Sequence, residues 1–215
     1  MSTLHKYLIG FSQIYLIGPT RFSKIKKSFA NLEEAWQAPQ SALEKIGLEP
    51  KVIAEFLEKR KIIDLDKELE RLKREKVKVV ALEDEDYPKL LKEIYLPPPL
   101  LYYRGELPGP NDFLLAVVGT RKPSLYGRQI TSQLTTELAG SGLTIVSGLA
   151  LGVDALAHEA ALKAEGGTTI AVLGSGADRN SVYPRANGQL AEKIISQGGA
   201  IISEHPLFTP ALKQH

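Results

Sequence analysis

The 215-residue sequence predicts an α/β fold: a parallel sheet with helices on both faces, preceded by a small all-α domain. Three observations predict it. After residue 112, short apolar runs alternate with stretches of helical spacing, the pattern of a parallel sheet covered by helices. Before residue 62, short helical segments are punctuated by glycine and proline instead. The hydrophobic content of 43% is enough for one full domain and a smaller second one.

Net charge is only +2, so any basic surface must be local. The chain has no cysteine, which excludes disulfides, thiolate metal sites and a cysteine nucleophile. No apolar run approaches the roughly 18 residues of a membrane span, and the N-terminus lacks the apolar core of a signal peptide. A cytoplasmic protein is the expectation.

Residues 1–62 read as a helical domain. Two segments within it look alike, LIGPTRFSKIKKSF (16–29) and KIGLEPKVIAEFL (45–57). Each places Ile-Gly before a proline-containing turn and a helix, the helix–hairpin–helix pattern. Such hairpins bind backbone phosphate through exposed amides or serve only as packing turns, and Lys24, Lys26 and Lys27 fit either role. Residues 63–112 read as a linker and a strand extension of the sheet. The linker belongs to a charge-mixed helix over 58–76 with Ile62, Leu65, Leu69 and Leu72 on one stripe. The acidic trio Glu83, Asp84 and Glu85 reads as a solvated turn, because consecutive residues there diverge. The proline run Pro97–Pro99 then leads into a strand at LLYYRG.

Residues 113–215 carry the repeating strand–helix pattern. Strands are expected at 113–118, 143–147, 168–173 and 199–203, with helices near 126–140, 154–164 and 187–197. Ligands of such sheets bind at the carboxyl ends of the strands, so the chemistry is sought there. The first end reads Gly119, Thr120, Arg121, Lys122, with Ser124 capping the next helix and Arg128 in its first turns. This is a Rossmann-like strand–turn–helix, but neither G-x-G-x-x-G nor G-x-x-x-x-G-K-[ST] is present, so no nucleotide cofactor is expected. Two cations in a turn of exposed amides suit a phosphodiester instead; the alternative is an Arg121 paired with a carboxylate.

The second end, SGLALGVDALAHEAAL (147–162), offers Ser147 and Gly148, with Asp154 read as a helix cap and His158 as structural. The third, LGSGADRNSVYPRANGQL (173–190), adds Arg179 and Arg185, with Tyr183 buttressing its loop or stacking on a base. The fourth places Ser203 and Glu204 at the same rim, Glu204 orienting an arginine.

Together, VVGTRKPSLYGR (117–128), SGLALGVDALAHEAAL (147–162), TTIAVLGSGAD (168–178), YPRAN (183–187) and ISEHP (202–206) resemble the DNA-processing protein A family, also called DprA or Smf. The likeness covers roughly 80–206 strongly, and 1–62 fits that family's sterile-alpha-motif-like or hairpin domain more loosely. The resemblance implies a non-catalytic protein without cofactor or metal. Such a protein binds and protects single-stranded DNA, loads a RecA-type recombinase during natural transformation, and forms a homodimer. It places nucleic-acid contacts on Gly119, Thr120, Arg121, Lys122, Ser147, Gly148, Arg179 and Arg185. The family's F-P-x-R-N-R-like segment is missing before Lys213-Gln214-His215, so the Rossmann-like domain is read as C-terminally incomplete. Two other readings stand beside it. One is a nucleotide-hydrolysing Rossmann enzyme of the lysine-decarboxylase-like (LOG) type, although its P-G-G-x-G-T run is absent. The other is a module whose helical N-terminus recruits a partner.

Overall fold

The computed structural model describes residues 2–109 and 111–212. Two compact units emerge, one of residues 1–75 and 79–101, the other of 76–78 and 102–215. The stretch 63–112, expected as a linker with a strand extension, divides between them. Lys213-Gln214-His215 lie outside the described residues.

The first unit is built from α1 (Thr3–Ser12), α2 (Pro19–Ser28), α3 (Leu32–Gln37), α4 (Gln40–Lys45), α5 (Pro50–Ile62) and α6 (Leu65–Arg74). It also holds most of β1 (Lys78–Ala81) and a single turn, α7 (Lys89–Lys92). Its core is aromatic. Phe11 stacks on Phe56 at 5.5 Å, and Trp36 meets both edge-on at 5.1 and 5.5 Å. Gly10 admits this packing, since a Cβ there would lie 2.7 Å from Leu65 and 2.9 Å from Trp36. The single helix expected over 58–76 is two helices. Asp64 accepts from the N–H groups of Asp66 and Lys67 and so starts α6 afresh. Ile62 is left outside the apolar stripe, exposed, while Leu72 is buried.

The look-alike hairpins differ in geometry and bind each other. Gly47 ends α4 in the left-handed region (φ +73°), whereas Gly18 precedes α2 in extended backbone (φ −77°). Arg21 donates two hydrogen bonds to Glu49, and Lys24 donates to the Gly47 carbonyl. The Arg21 guanidinium, helped by Glu49's own N–H, pulls the Glu49 carboxyl down to about 2. An anion at this hairpin pair is therefore supplied by the chain itself, which favours the packing role. The acidic turn is likewise occupied: Asp84 accepts from Ala81 N–H and contacts His5, and Glu83 pairs with Lys26.

The second unit contains most of β2 (Leu100–Gly105), and β3 (Phe113–Ala116), α8 (Leu125–Gly140), β4 (Leu143–Ser147), α9 (Val153–Ala161), β5 (Thr169–Leu173), α10 (Gly188–Ser196) and β6 (Ala200–Ser203). The sheet order is β1-β2-β6-β5-β4-β3. Strands β3 to β6 pair in parallel, as their helical connections demand. Strand β2 runs antiparallel to β6, with Tyr102 opposite Ser203 and Gly105 opposite Ala200, so the sheet is mixed.

Helices on both faces were expected; among the described residues α8, α9 and α10 share one. Ile145 packs with Ala139 of α8 and with Ala157 and Ala161 of α9. Thr169, opposite Ile145 in register, meets His158 of α9. Arg104, opposite Ile201, reaches Glu192 of α10. The reason is topological. Successive strands add in one direction, and right-handed crossovers then keep every helix on the same side. Val172, on the other face, is 46% exposed. Among the described residues the order of β3 to β6 does not reverse, so no switch-point crevice marks a ligand site there.

His158 belongs to this helix-bearing face. The Thr169 hydroxyl donates to the Ile145 carbonyl at 2.7 Å, so it accepts from Nδ1–H of His158, also at 2.7 Å. Burial pushes the imidazole down to about 4, against an ordinary 6.5, with the Ser147 carbonyl opposing. Between those values the unfolded chain binds the proton more readily. The stability tied to neutral His158 is therefore complete above pH 6.5, falls as pH drops, and is gone below about 4. The gap corresponds to about 3 kcal/mol. Urea midpoints recorded from pH 7 to pH 4 are expected to fall accordingly, and His158→Gln to flatten that slope; an unchanged slope would contradict it.

Candidate nucleic-acid interface

The carboxyl ends of β3 and β4 are locked together by their turns. The Thr120 carbonyl accepts from Val153 N–H at 3.1 Å. Gly152, at φ +85°, lies so close that a Cβ would be 2.4 Å from the Thr120 oxygen and 2.7 Å from the Arg121 Cα. Gly119 similarly admits Val153, whose side chain would lie 2.8 Å from a Cβ. These approaches require glycine at both positions.

The turn they hold is cationic and open. Gly119, Thr120, Arg121 and Lys122 are all exposed. Among the described residues, Arg121 and Lys122 make no ion pair, and the N–H groups of Gly119, Thr120 and Arg121 have no acceptor. Lys122 N–H donates to the Thr120 hydroxyl, and Ser124 caps α8 by accepting from Gly127 N–H at 3.1 Å. Successive free amides beside a guanidinium and an ammonium suit an anion. The carboxylate-paired alternative for Arg121 is not what the fold adopts.

Two residues of the expected contact set also serve the fold. Ser147 is buried and its hydroxyl donates to the Val117 carbonyl at 2.6 Å, so it ties β4 to the chain leaving β3. A Cβ on Gly148 would lie 2.8 Å from an Asp154 oxygen, so this glycine makes room for Asp154. Asp154 is not the cap of α9, a position held by Gly152, but its second residue, buried in the first turn and accepting from Ala150 N–H. At this second turn Ala150 N–H goes to Asp154 and Val153 N–H to Thr120, while among the described residues the N–H groups of Gly148, Leu149 and Leu151 have no acceptor.

The third loop is held from within. Asp178 is buried and accepts from Phe208 N–H at 2.8 Å and Ser181 N–H at 3.1 Å. Asn187 donates to the carbonyls of Leu149 and Ala150, joining this loop to the second turn. Arg185 is exposed, and Arg179, also exposed, stands 4.0 Å from Glu192. Tyr183 is 61% exposed, which argues against the buttressing role. Ser203 is buried against the Ser175 carbonyl. Glu204 does not orient an arginine; its packed surroundings push its carboxyl up. That task belongs to Glu192, which takes two hydrogen bonds from Arg104 at 2.8 and 2.9 Å. Nothing in the sequence linked residues 88 positions apart.

Fold and rim define the class: a Rossmann-like α/β protein with a cationic, amide-lined edge and a separate helical unit. Residues 78–215 match the family model described as DNA recombination-mediator protein A, and the chain belongs to that DNA-processing family. It is 38% identical to Protein Smf of Synechocystis sp. over 211 residues, 94% of this chain and 51% of that protein. It is 38% identical to DNA processing protein DprA of Bacillus subtilis over 140 residues, 65% of this chain and 46% of the relative. The chain thus spans about half the length of the curated relatives it matches. Among solved structures, DprA of Streptococcus pneumoniae superimposes with a TM-score of 0.66 and 33% identity, over 93% of this chain and 71% of that one. DprA of Helicobacter pylori, whose structure concerns its single-stranded DNA binding mode, superimposes with a TM-score of 0.52 and 34% identity, over 64% and 60%. Among the described residues no helix is long and apolar enough to cross a membrane.

Proposed function

We propose that this chain binds single-stranded DNA along the rim formed by Gly119, Thr120, Arg121 and Lys122, extended by Arg179 and Arg185. It does so as a non-catalytic mediator in the cytoplasm that protects incoming strands and hands them to a RecA-type recombinase in natural transformation, acting as a homodimer. The observation that carries the reading is that, among the described residues, Arg121 and Lys122 are unpaired on a turn where the N–H groups of Gly119, Thr120 and Arg121 have no acceptor. A neutral ligand would leave those cations unused, whereas a phosphodiester satisfies amides and guanidinium together. The single-stranded DNA binding of the Helicobacter pylori relative supports the same choice. His158, the histidine at the second strand end, is spent on Thr169 in the core, so it is not on offer as a base.

Fluorescence anisotropy with single- and double-stranded oligonucleotides at two salt concentrations tests this. Single strands are expected to bind more tightly, with affinity falling as salt rises. Arg121→Ala is expected to weaken binding about tenfold or more and to reduce the salt slope by about one. Equal affinity and slope for the variant would refute the reading.

A further inference from the structure

The cationic turn is bordered by large apolar side chains that the fold leaves in solvent. Val118 is 72% exposed, Leu125 83%, Tyr126 72% and Leu151 48%. The first three share one short segment with Arg121 and Lys122. Leu151 joins them because its neighbour Gly152 is pressed against Thr120 and Arg121. These exposed apolar side chains thus flank the unpaired cations of the turn. Tyr126 is also well anchored: it is the second residue of α8, whose start Ser124 fixes through Gly127. Arg128, three residues beyond Leu125 on the same helix side, is exposed and adds another cation.

We propose that this surface stacks against unpaired nucleobases, with Tyr126 as the principal platform, an inference that rests on the single-stranded DNA reading above. Charge complementarity selects the occupant. A ligand that meets Arg121 and Lys122 and still has flat apolar faces to offer beside them carries phosphates and open bases together. A duplex presents the same phosphates with its base faces already stacked on one another. Aromatic stacking tolerates any base, since every base has a π face, so the patch favours unpaired strands without reading their sequence.

The test compares an oligothymidine with an abasic strand of equal length, using wild type, Tyr126→Ala and Tyr126→Phe. Wild type is expected to hold the oligothymidine about tenfold more tightly, a preference that Tyr126→Phe keeps and Tyr126→Ala loses. Affinity of Tyr126→Ala for the abasic strand stays at the wild-type level, because the phosphate contacts are untouched. A wild type indifferent to bases, or a Tyr126→Ala that retains the full preference, overturns the inference and leaves the phosphate reading standing. The first of those outcomes assigns the patch to a protein partner. If neither strand binds wild type, the DNA reading falls, and this inference with it.

Discussion

Replacing Glu192 with alanine is expected to cost about 3 kcal/mol of stability, measured as a drop in urea unfolding free energy. The cost comes from the partner left behind. Arg104 lies on β2 with its side chain only 11% exposed, and its Nη2 gives both of its hydrogen bonds to Glu192. Its Nη1 already lacks a partner. Without the carboxylate, a guanidinium stays in a poorly solvated site with nothing to balance it, and it cannot discard its proton. The double replacement Arg104→Met with Glu192→Leu removes both charges and keeps the volume, so it is expected to recover most of the loss. If the double variant is as unstable as Glu192→Ala, the pair matters for packing and the electrostatic account is wrong.

Gly152→Ala carries an effect of similar size and reaches the site directly. The residue sits at φ +85° and ψ −126°, a region essentially reserved for glycine. Its missing Cβ would fall within van der Waals overlap of Thr120 and Arg121 backbone, atoms that have no rotamer to escape through. Strain and overlap together are expected to cost about 3 kcal/mol, and relief comes only by moving the cationic turn. Oligonucleotide affinity is therefore expected to fall with stability. Gly142→Ala is the control: its φ is +89°, yet nothing lies within 4 Å of the added methyl. It should show only the backbone penalty, about 1–2 kcal/mol, with affinity intact. Equal losses for the two variants would mean that close approach at Gly152 is not what shapes the turn.

The strand–helix alternation was legible because it is local. FLLA, LTIVS, TIAVL and AIIS are short and largely apolar, and each is followed or preceded by a helix of matching period. The cationic turn was legible for a similar reason: Arg121 and Lys122 follow directly on a strand end, and Ser124 announces the next helix. The Ser147 hydroxyl holds a neighbouring carbonyl and Gly148 makes room for Asp154, roles that look the same in local sequence as service to a ligand. Leu125 and Tyr126 are exposed at the start of α8, whose buried side is held by Thr135 and Ala139, a division set by packing. Asp64 broke a helix that apolar spacing alone joined, because capping competes with periodicity at a single residue.

From the amino acids alone came the α/β class, the order of the core elements, the family likeness and the turn that carries the charge. All of these depend on residues adjacent in the chain, where side-chain period and backbone preference act directly. Three-dimensional packing alone decided that the helices share one face, that β2 runs against β6, that Glu192 holds Arg104, and that Arg121 stays unpaired. Those outcomes depend on which distant segments meet, and a carboxylate that claims an arginine from across the sheet leaves no trace in either local sequence.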